Sequence, residues 1–287
     1  MKHCCQCSTQ FHSKDWECPE CAFRPKNIDG FLAFSPELAL SSEGFEAHFF
    51  NLLVTLESNN FWFRARNHLL AWALETYFPN AKSFLEIGCG TGFVLSNLEQ
   101  TFPHLKLQGS EIFTTGLKFA AQRLSRASLF QMDARSIPFT EEFDVIGAFD
   151  VLEHIQDDTR VLSEMYRASQ QGILLTVPQH SWLWSRADDY AHHVRRYEAR
   201  EIKTKVEAAG FRIVRMTSFV SLLLPLMLVS RLREKGSTQA YDPAAEFRIA
   251  SWLNATLEAV MAIERQLIQA KLSLPLGGSL LVVAQKV

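Results

Sequence analysis

The chain has 287 residues, with 29 Lys+Arg against 31 Asp+Glu and a formal net charge of −2. Hydrophobic residues make up 47%, enough for a sizeable core, so wholesale disorder is excluded, and the balanced charge excludes a chain-wide basic footprint for nucleic acid. The longest apolar run, 219–229, has 11 residues and contains Pro225, too few against the ~20 of a membrane-spanning helix. No apolar secretory segment follows Met1, and the chain reads as cytoplasmic.

Five of the six cysteines fall in the first 21 residues. Cys4-x2-Cys7 and Cys18-x2-Cys21 form two knuckles, and a two-residue gap lets a pair of thiolates converge on one ion. Four such ligands close a tetrahedral site, leave no position for a catalytic water, and point to structural Zn2+. Iron in a similar sulfur site and disulfides are the alternatives, and disulfides need an oxidising compartment. Cys5, His3 and His12 are spare donors. A segment as small as 1–30 needs its metal to fold. Gly30 and Ser35-Pro36 read as a linker after it.

Helices are expected near 43–56 and 60–77, the second capped by Asn59 or Asn60 and ended by Pro79. Short apolar runs then alternate with helical patterns. Strands are expected at 84–87, 105–109, 129–132, 144–149, 173–177, 212–216 and 280–284, with helices near 93–101, 114–125, 158–169 and 198–209. Such alternation argues an α/β fold with a largely parallel sheet and helices on both faces. A long insertion, about 219–278, precedes the last strand. It holds the 219–229 run, a polar break near 236–243, and a helix over 244–271 with a stripe at Leu253, Leu257, Val260, Ile263, Leu267 and Ile268.

The stretch from Phe84 to Phe93 reads Phe-Leu-Glu-Ile-Gly-Cys-Gly-Thr-Gly-Phe, a strand, a glycine-rich turn and a helix start. Gly88, Gly90 and Gly92 admit a ligand close to the backbone, at the carboxyl end of a strand where open α/β sheets bind ligands. Glu111, placed 19 residues after Gly92, can accept from two ribose hydroxyls, and Asp133 can receive an exocyclic amine. The dinucleotide fingerprint wants a sixth-position glycine where Phe93 stands, which disfavours a dehydrogenase.

At these residues the chain resembles the class I S-adenosylmethionine-dependent methyltransferases. Glu86-Ile-Gly-Cys-Gly-Thr-Gly92 is similar to the family's first motif, Ser110-Glu111 to its ribose acid, and Met132-Asp133-Ala134 to its adenine contact. The stretch from Phe143 to His154 is similar to the fourth-strand motif of the small-molecule and quinone-type branch. The resemblance implies a Rossmann-like sheet of seven strands with the last one antiparallel. It implies S-adenosyl-L-methionine as cofactor, held by Glu86, Gly88, Cys89, Gly90, Gly92, Glu111, Asp133, Ala134 and Asp150. The chain then divides into a zinc-ribbon-like segment at 1–30, a helical region at 31–80 and a methyltransferase domain at 81–287.

The acceptor is expected beyond the fourth and fifth strands, where His154 and His180 are candidate general bases. Residues 180–197 are rich in Trp, His, Tyr and Arg, and Arg195 and Arg196 either grip an anionic acceptor or pair with Asp188, Asp189 and Glu198. The 219–229 run either packs under the 244–271 helix or forms an apolar tunnel or membrane-contacting surface. The leading function is methyl transfer to a small-molecule or lipid-linked acceptor, with peripheral membrane contact as a possible accompaniment. An RNA methyltransferase that uses the zinc segment for recognition is the runner-up, disfavoured by the balanced charge and by Phe149-Asp150 standing where an Asn/Asp-Pro-Pro-aromatic motif would be. A non-catalytic cofactor-binding adaptor is the third reading.

Overall fold

The computed structural model describes residues 1–39, 49–235 and 248–287. The elements in chain order are β1 (Lys2–His3), β2 (Gln10–Phe11), β3 (Lys26–Ile28), β4 (Phe31–Ala33), α1 (Phe49–Leu56), α2 (Phe61–Tyr77), β5 (Ser83–Ile87), α3 (Phe93–Thr101), β6 (Lys106–Glu111), α4 (Thr114–Arg123), β7 (Ser128–Gln131) and β8 (Phe143–Phe149). They continue with α5 (Asp158–Ala168), β9 (Ser169–Pro178), α6 (Arg186–Tyr190), α7 (Ala199–Ala208), β10 (Phe211–Phe219), α8 (Leu224–Lys235), α9 (Ser251–Gln269) and β11 (Ser279–Lys286).

The central sheet runs β10-β11-β9-β8-β5-β6-β7-β4-β3. β9, β8, β5, β6 and β7 are mutually parallel, and β11 enters antiparallel between β9 and β10. These seven strands are the expected ones, and the last runs antiparallel as expected. Side chains alternate across the sheet by the period of two. Phe84, Val145, Leu174 and Leu281 face the core under α2, α3, α4 and α9, while Leu85, Ile146, Ile173 and Leu280 face the core under α5 and α7. Both faces are buried, which is why the strand segments read as apolar runs. Asn60, rather than Asn59, caps α2 by accepting from the Trp62 N–H at 2.9 Å.

Two further strands extend the sheet beyond β7, where a linker was expected. β3 and β4 form a hairpin whose turn residues Asp29 and Gly30 have φ of 55° and 92°, the left-handed pair that an Asp-Gly turn adopts. β4 then lies parallel to β7, covering an edge that would otherwise be open. The joint is polar and specific. Gln131, fully buried, donates Nε2 to the Ser35 carbonyl at 2.8 Å and to the Ile112 carbonyl at 3.1 Å, and accepts from the Ser35 N–H at 3.1 Å.

The first 25 residues also dock onto the sheet domain. The Trp16 ring meets Phe34 at 4.5 Å and Phe139 at 5.3 Å, both edge-on. The His3 N–H donates to the Pro138 carbonyl at 3.0 Å and the Thr140 N–H to the Met1 carbonyl at 2.8 Å.

The insertion departs from expectation in detail. Residues 236–247, with the expected polar break and the first positions of the expected helix, lie outside the described residues, as do 43–48 of the first expected helix. α9 begins at Ser251, and residues 248–250 are not helical. Leu257, Met261, Glu264 and Ile268 form its buried face, while Ile263 points to solvent. Glu264 is the part of this face that periodicity hides. Its carboxylate accepts the N–H groups of Val220, Ser221 and Leu222 at 2.6–2.7 Å, tying the end of β10 and the approach to α8 onto α9. No described helix is long and apolar enough to cross a membrane.

Replacing Gln131 with Leu should cost about 1–3 kcal/mol, because the buried Ser35 N–H loses its partner and the Ile112 carbonyl loses a donor, while the Ser35 carbonyl keeps the Leu38 N–H. Urea unfolding checks this, and an unchanged midpoint would mean that the hairpin contributes nothing through this side chain.

Candidate active site

Strand order reverses between β5 and β8, and a cavity of about 1940 Å³ opens among the described residues at the carboxyl ends of these strands. The glycine turn forms its floor. Gly88 has φ of +66°, and a side chain there would put Cβ 2.6 Å from Val151 Cγ2, so both conformation and space demand glycine. Gly92 is different, since it caps α3 with φ of +75° and is absent from the cavity wall. A Cβ on it would meet Ala120 and Leu124 at 3.0 Å. Its place in the fold is the close packing of α3 against α4. Cys89 lines the cavity, but it belongs to the apolar core and burial pushes its thiol well up, which leaves its backbone as the available contact.

The acidic candidates converge on this cavity. Glu86 is 3% exposed, and its Oε2 has no hydrogen-bond partner. Burial pushes its pKa well above the ordinary value; Arg66 opposes this and Glu111 and Glu57 add to it. Glu111 accepts from the N–H of Gly90 at 3.0 Å and of Ile112 at 2.8 Å. Burial nonetheless keeps its pKa raised, outweighing these hydrogen bonds. Asp133 and Ala134 line the cavity as well, with Asp133 held by the guanidinium of Arg135 at 2.8–3.0 Å. Asp150, with φ of +56°, forms an ion pair with Arg66.

Sequence reasoning missed two of these neighbours, Arg66 and Glu57, and had a third, His193, only as part of the 180–197 stretch. Arg66 comes from α2, with its guanidinium carbon 4.5 Å above the Trp62 ring. Glu57, at 5% exposure, accepts from Thr91 Oγ1 at 2.6 Å and from Arg123 at 2.8 Å, and so holds the glycine turn from its far side. His193, on the cavity wall, has Nδ1 2.8 Å from Asp188 Oδ1. A charged residue within the apolar Phe61-Trp-Phe-Arg-Ala-Arg66 stretch was the one visible signal.

The two candidate bases are separated. His154 lines the cavity, with its ring 4.7 Å from that of His193 and roughly perpendicular to it. Burial, with His193 and His192 adding to it, lowers its pKa to about 3. His180 does not reach the cavity wall. It is buried against Trp182 with Nδ1 3.1 Å from Glu198, away from His154. Both arginines are paired within the chain, and Arg196 also borders the cavity. Arg195 bonds the Gln156 carbonyl at 2.8 Å and pairs with Asp158, and Arg196 donates to Asp188 at 2.8 Å.

The sequence family described as a methyltransferase domain matches residues 57–216, more than half of the chain. The chain belongs to this family. It is a class I S-adenosylmethionine-dependent methyltransferase. Among its relatives, the biotin biosynthesis bifunctional protein of Teredinibacter turnerae is 25% identical over 60% of this chain and 34% of its own length. The phosphatidylethanolamine N-methyltransferase of Cereibacter sphaeroides is 30% identical over 33% of this chain and 49% of its own length. The chain thus spans about a third to a half of these curated relatives. A Haloferax volcanii methyltransferase structure, solved in complex with the Trm112 methyltransferase activator, matches with a TM-score of 0.54 at 16% identity, over 83% of this chain and 93% of that one. At that identity the likeness shows the fold.

The orphaned, buried Glu86 oxygen and the Gly88 cradle fit this methyltransferase's cofactor, whose amino-acid end carries an ammonium. At the other end of the chain, Cys4 and Cys21 have their sulfurs 3.5 Å apart, as do Cys7 and Cys18. All four lie within 4.8 Å of one another. Zn–S bonds of about 2.3 Å place tetrahedral sulfurs roughly 3.8 Å apart, so the cluster fits one ion. Cys5 turns away, with its thiol 3.7 Å from the Ser136 carbonyl. Chelation of that ion should raise hydrogen exchange across residues 1–25, where the Ser8, Cys18 and Ala22 amides close the knuckle loops. Exchange unchanged by the chelator would mean that the sulfurs hold no ion.

Proposed function

We propose that this methyltransferase transfers its methyl group to a small-molecule or lipid-linked acceptor held between the glycine turn and helices α8 and α9. The observation that carries the reading is the shape and lining of the cavity. Its volume of about 1940 Å³ exceeds the roughly 300–1,000 Å³ of an ordinary ligand pocket, and part of its wall is formed by Leu223, Leu226, Met227, Val229, Leu253 and Leu257. Such a wall suits an apolar chain or ring system. The 219–229 run thus divides, with Phe219, Val220 and Leu223 in the core and Leu226 and Val229 on the cavity side with exposed surface. Two similar proteins are named for related acceptors: the phosphatidylethanolamine N-methyltransferase above and a Haemonchus contortus phosphoethanolamine N-methyltransferase 2, which has a TM-score of 0.50 at 19% identity over 77% of this chain and 52% of that one.

In this reading Glu86 takes the cofactor's ammonium, and backbone amides at the start of α3 take its carboxylate. Glu111 takes the ribose hydroxyls, while Asp133 and Ala134 border the adenine. The bound cofactor supplies an electrophilic methyl group on a sulfonium. The chain supplies alignment, which lowers the barrier of such a displacement by roughly 7–11 kcal/mol. His154, with a pKa near 3, is a weak proton acceptor, so positioning carries more of the rate than base catalysis. The four-cysteine site holds structural Zn2+ and supports the β3–β4 hairpin.

Incubating the protein with radiolabelled cofactor and cell extract, then partitioning the products, tests the acceptor. Label in the organic or small-molecule fraction is the expected result, and label in RNA would replace this reading with the RNA one. The cofactor role of Glu86 has a separate signature. Its raised pKa means that the empty protein carries a neutral Glu86 up to a pH above the ordinary carboxylate range, and its stability falls as pH rises through that pKa. Ammonium binding favours the carboxylate, so cofactor affinity should rise with pH over the same window, with release of a proton. Calorimetry in buffers of different ionisation enthalpy reads that proton, and Glu86→Gln should abolish its release.

A further inference from the structure

Glu153, His154 and His193 share the cavity wall and lie outside the residues assigned to the cofactor. One donor atom from each lies within 4.8 Å of the other two. Glu153 is fully buried, and neither of its carboxylate oxygens has a hydrogen-bond partner. The cations nearest to it, Arg66 and Arg196, are committed to Asp150 and Asp188. Burial, with Asp150 adding to it, pushes the Glu153 pKa well above the ordinary value, and its two unpartnered oxygens are open to a cation that displaces the proton. The two imidazoles beside it are already oriented from behind. His193 is held through Nδ1 by Asp188 Oδ1 at 2.8 Å, and Asp188 is itself fixed by the Ser185 N–H at 2.8 Å and by Arg196. The His154 ring is hydrogen-bonded to the Ala191 backbone. A carboxylate or carbonyl behind each ring is the arrangement that orients metal-ligating histidines.

We propose that Glu153, His154 and His193 form a binding site for a divalent first-row transition metal ion, with Asp188 orienting His193. Two imidazoles and one carboxylate suit Mn2+, Fe2+, Co2+ or Zn2+ better than Ca2+ or Mg2+, which prefer all-oxygen sets. Three protein ligands leave positions open on the ion. These face the cavity, where an oxygen or nitrogen of the acceptor would enter. Only that last use of the ion rests on the acceptor reading; binding of the ion does not.

The test uses the full chain with its four-cysteine site loaded with zinc, titrated with Mn2+ while the paramagnetic resonance signal of free Mn2+ is followed. One Mn2+ per chain is expected, displaced by Zn2+ and not by Mg2+. Glu153→Gln should abolish this binding, and Asp188→Asn, which leaves all three ligands in place, should weaken it by about 10–100-fold. Asp188→Asn carries the test if Glu153→Gln fails to fold. Cofactor binding is measured separately on each variant, so its loss would count against the cofactor assignment rather than against the ion site. Mn2+ uptake absent from the wild-type chain, or equal in wild type and in a folded variant, would overturn the proposal.

Discussion

The reversal of strand order at β5 organises this molecule. After β5 the chain crosses through α3 to β6 and on to β7, and then returns to the other side of β5 as β8. Helices that cover the two halves must diverge there, and the carboxyl ends of β5 and β8 are left facing a crevice. The glycine turn, Glu86, Asp150 and the Glu153–His154 pair all sit at those two strand ends, so their proximity follows from topology. The two halves of the chain supply different work at this crevice. Segments around β5, β6 and β7 provide the turn and acids suited to the cofactor, whereas those after β8 and β9 provide the imidazoles and those after β10 the apolar wall.

Buried carboxylates set the electrostatic character of the site. Glu57, Glu86, Glu111 and Glu153 are all nearly inaccessible, and each is treated differently. Glu57 is satisfied by Thr91 and Arg123, and Glu111 by backbone amides. Glu86 retains an unsatisfied oxygen and Glu153 retains two. Satisfied groups hold the turn in shape, and unsatisfied ones carry an unfavourable burial that a bound cation would relieve.

The amino-terminal segment bears on the same site through the sheet. Its hairpin adds β4 to β7, and Ser35 bonds Gln131 while its hydroxyl accepts from the Asp133 N–H at 3.3 Å. The loop that carries Asp133 therefore leans on residues that follow directly from the cysteine knuckles. The four-cysteine cluster is thus mechanically connected to one end of the crevice.

The sequence by itself determined the seven strands of the α/β sheet, the glycine turn and the four clustered cysteines. These depend on local period and local spacing: buried strands read as apolar runs, Gly88 is required by its own backbone angle, and two-residue gaps bring thiolates together. It did not reveal the β3–β4 extension, because three-residue strands are too short for periodicity and the Asp29-Gly30 turn resembles a linker. Helix periodicity also could not distinguish Ile263, which is exposed, from Glu264, which is buried by bonding three amides of a distant segment. Only the tertiary structure decided which polar groups meet. Within the expected acceptor region, His180 and Arg195 are held by Glu198 and Asp158 while His193 reaches the cavity wall, and Arg66 and Glu57 arrive from far along the chain. A side chain's chemistry depends on the partners that long-range packing sets around it, and those partners leave no mark in the spacing of nearby residues.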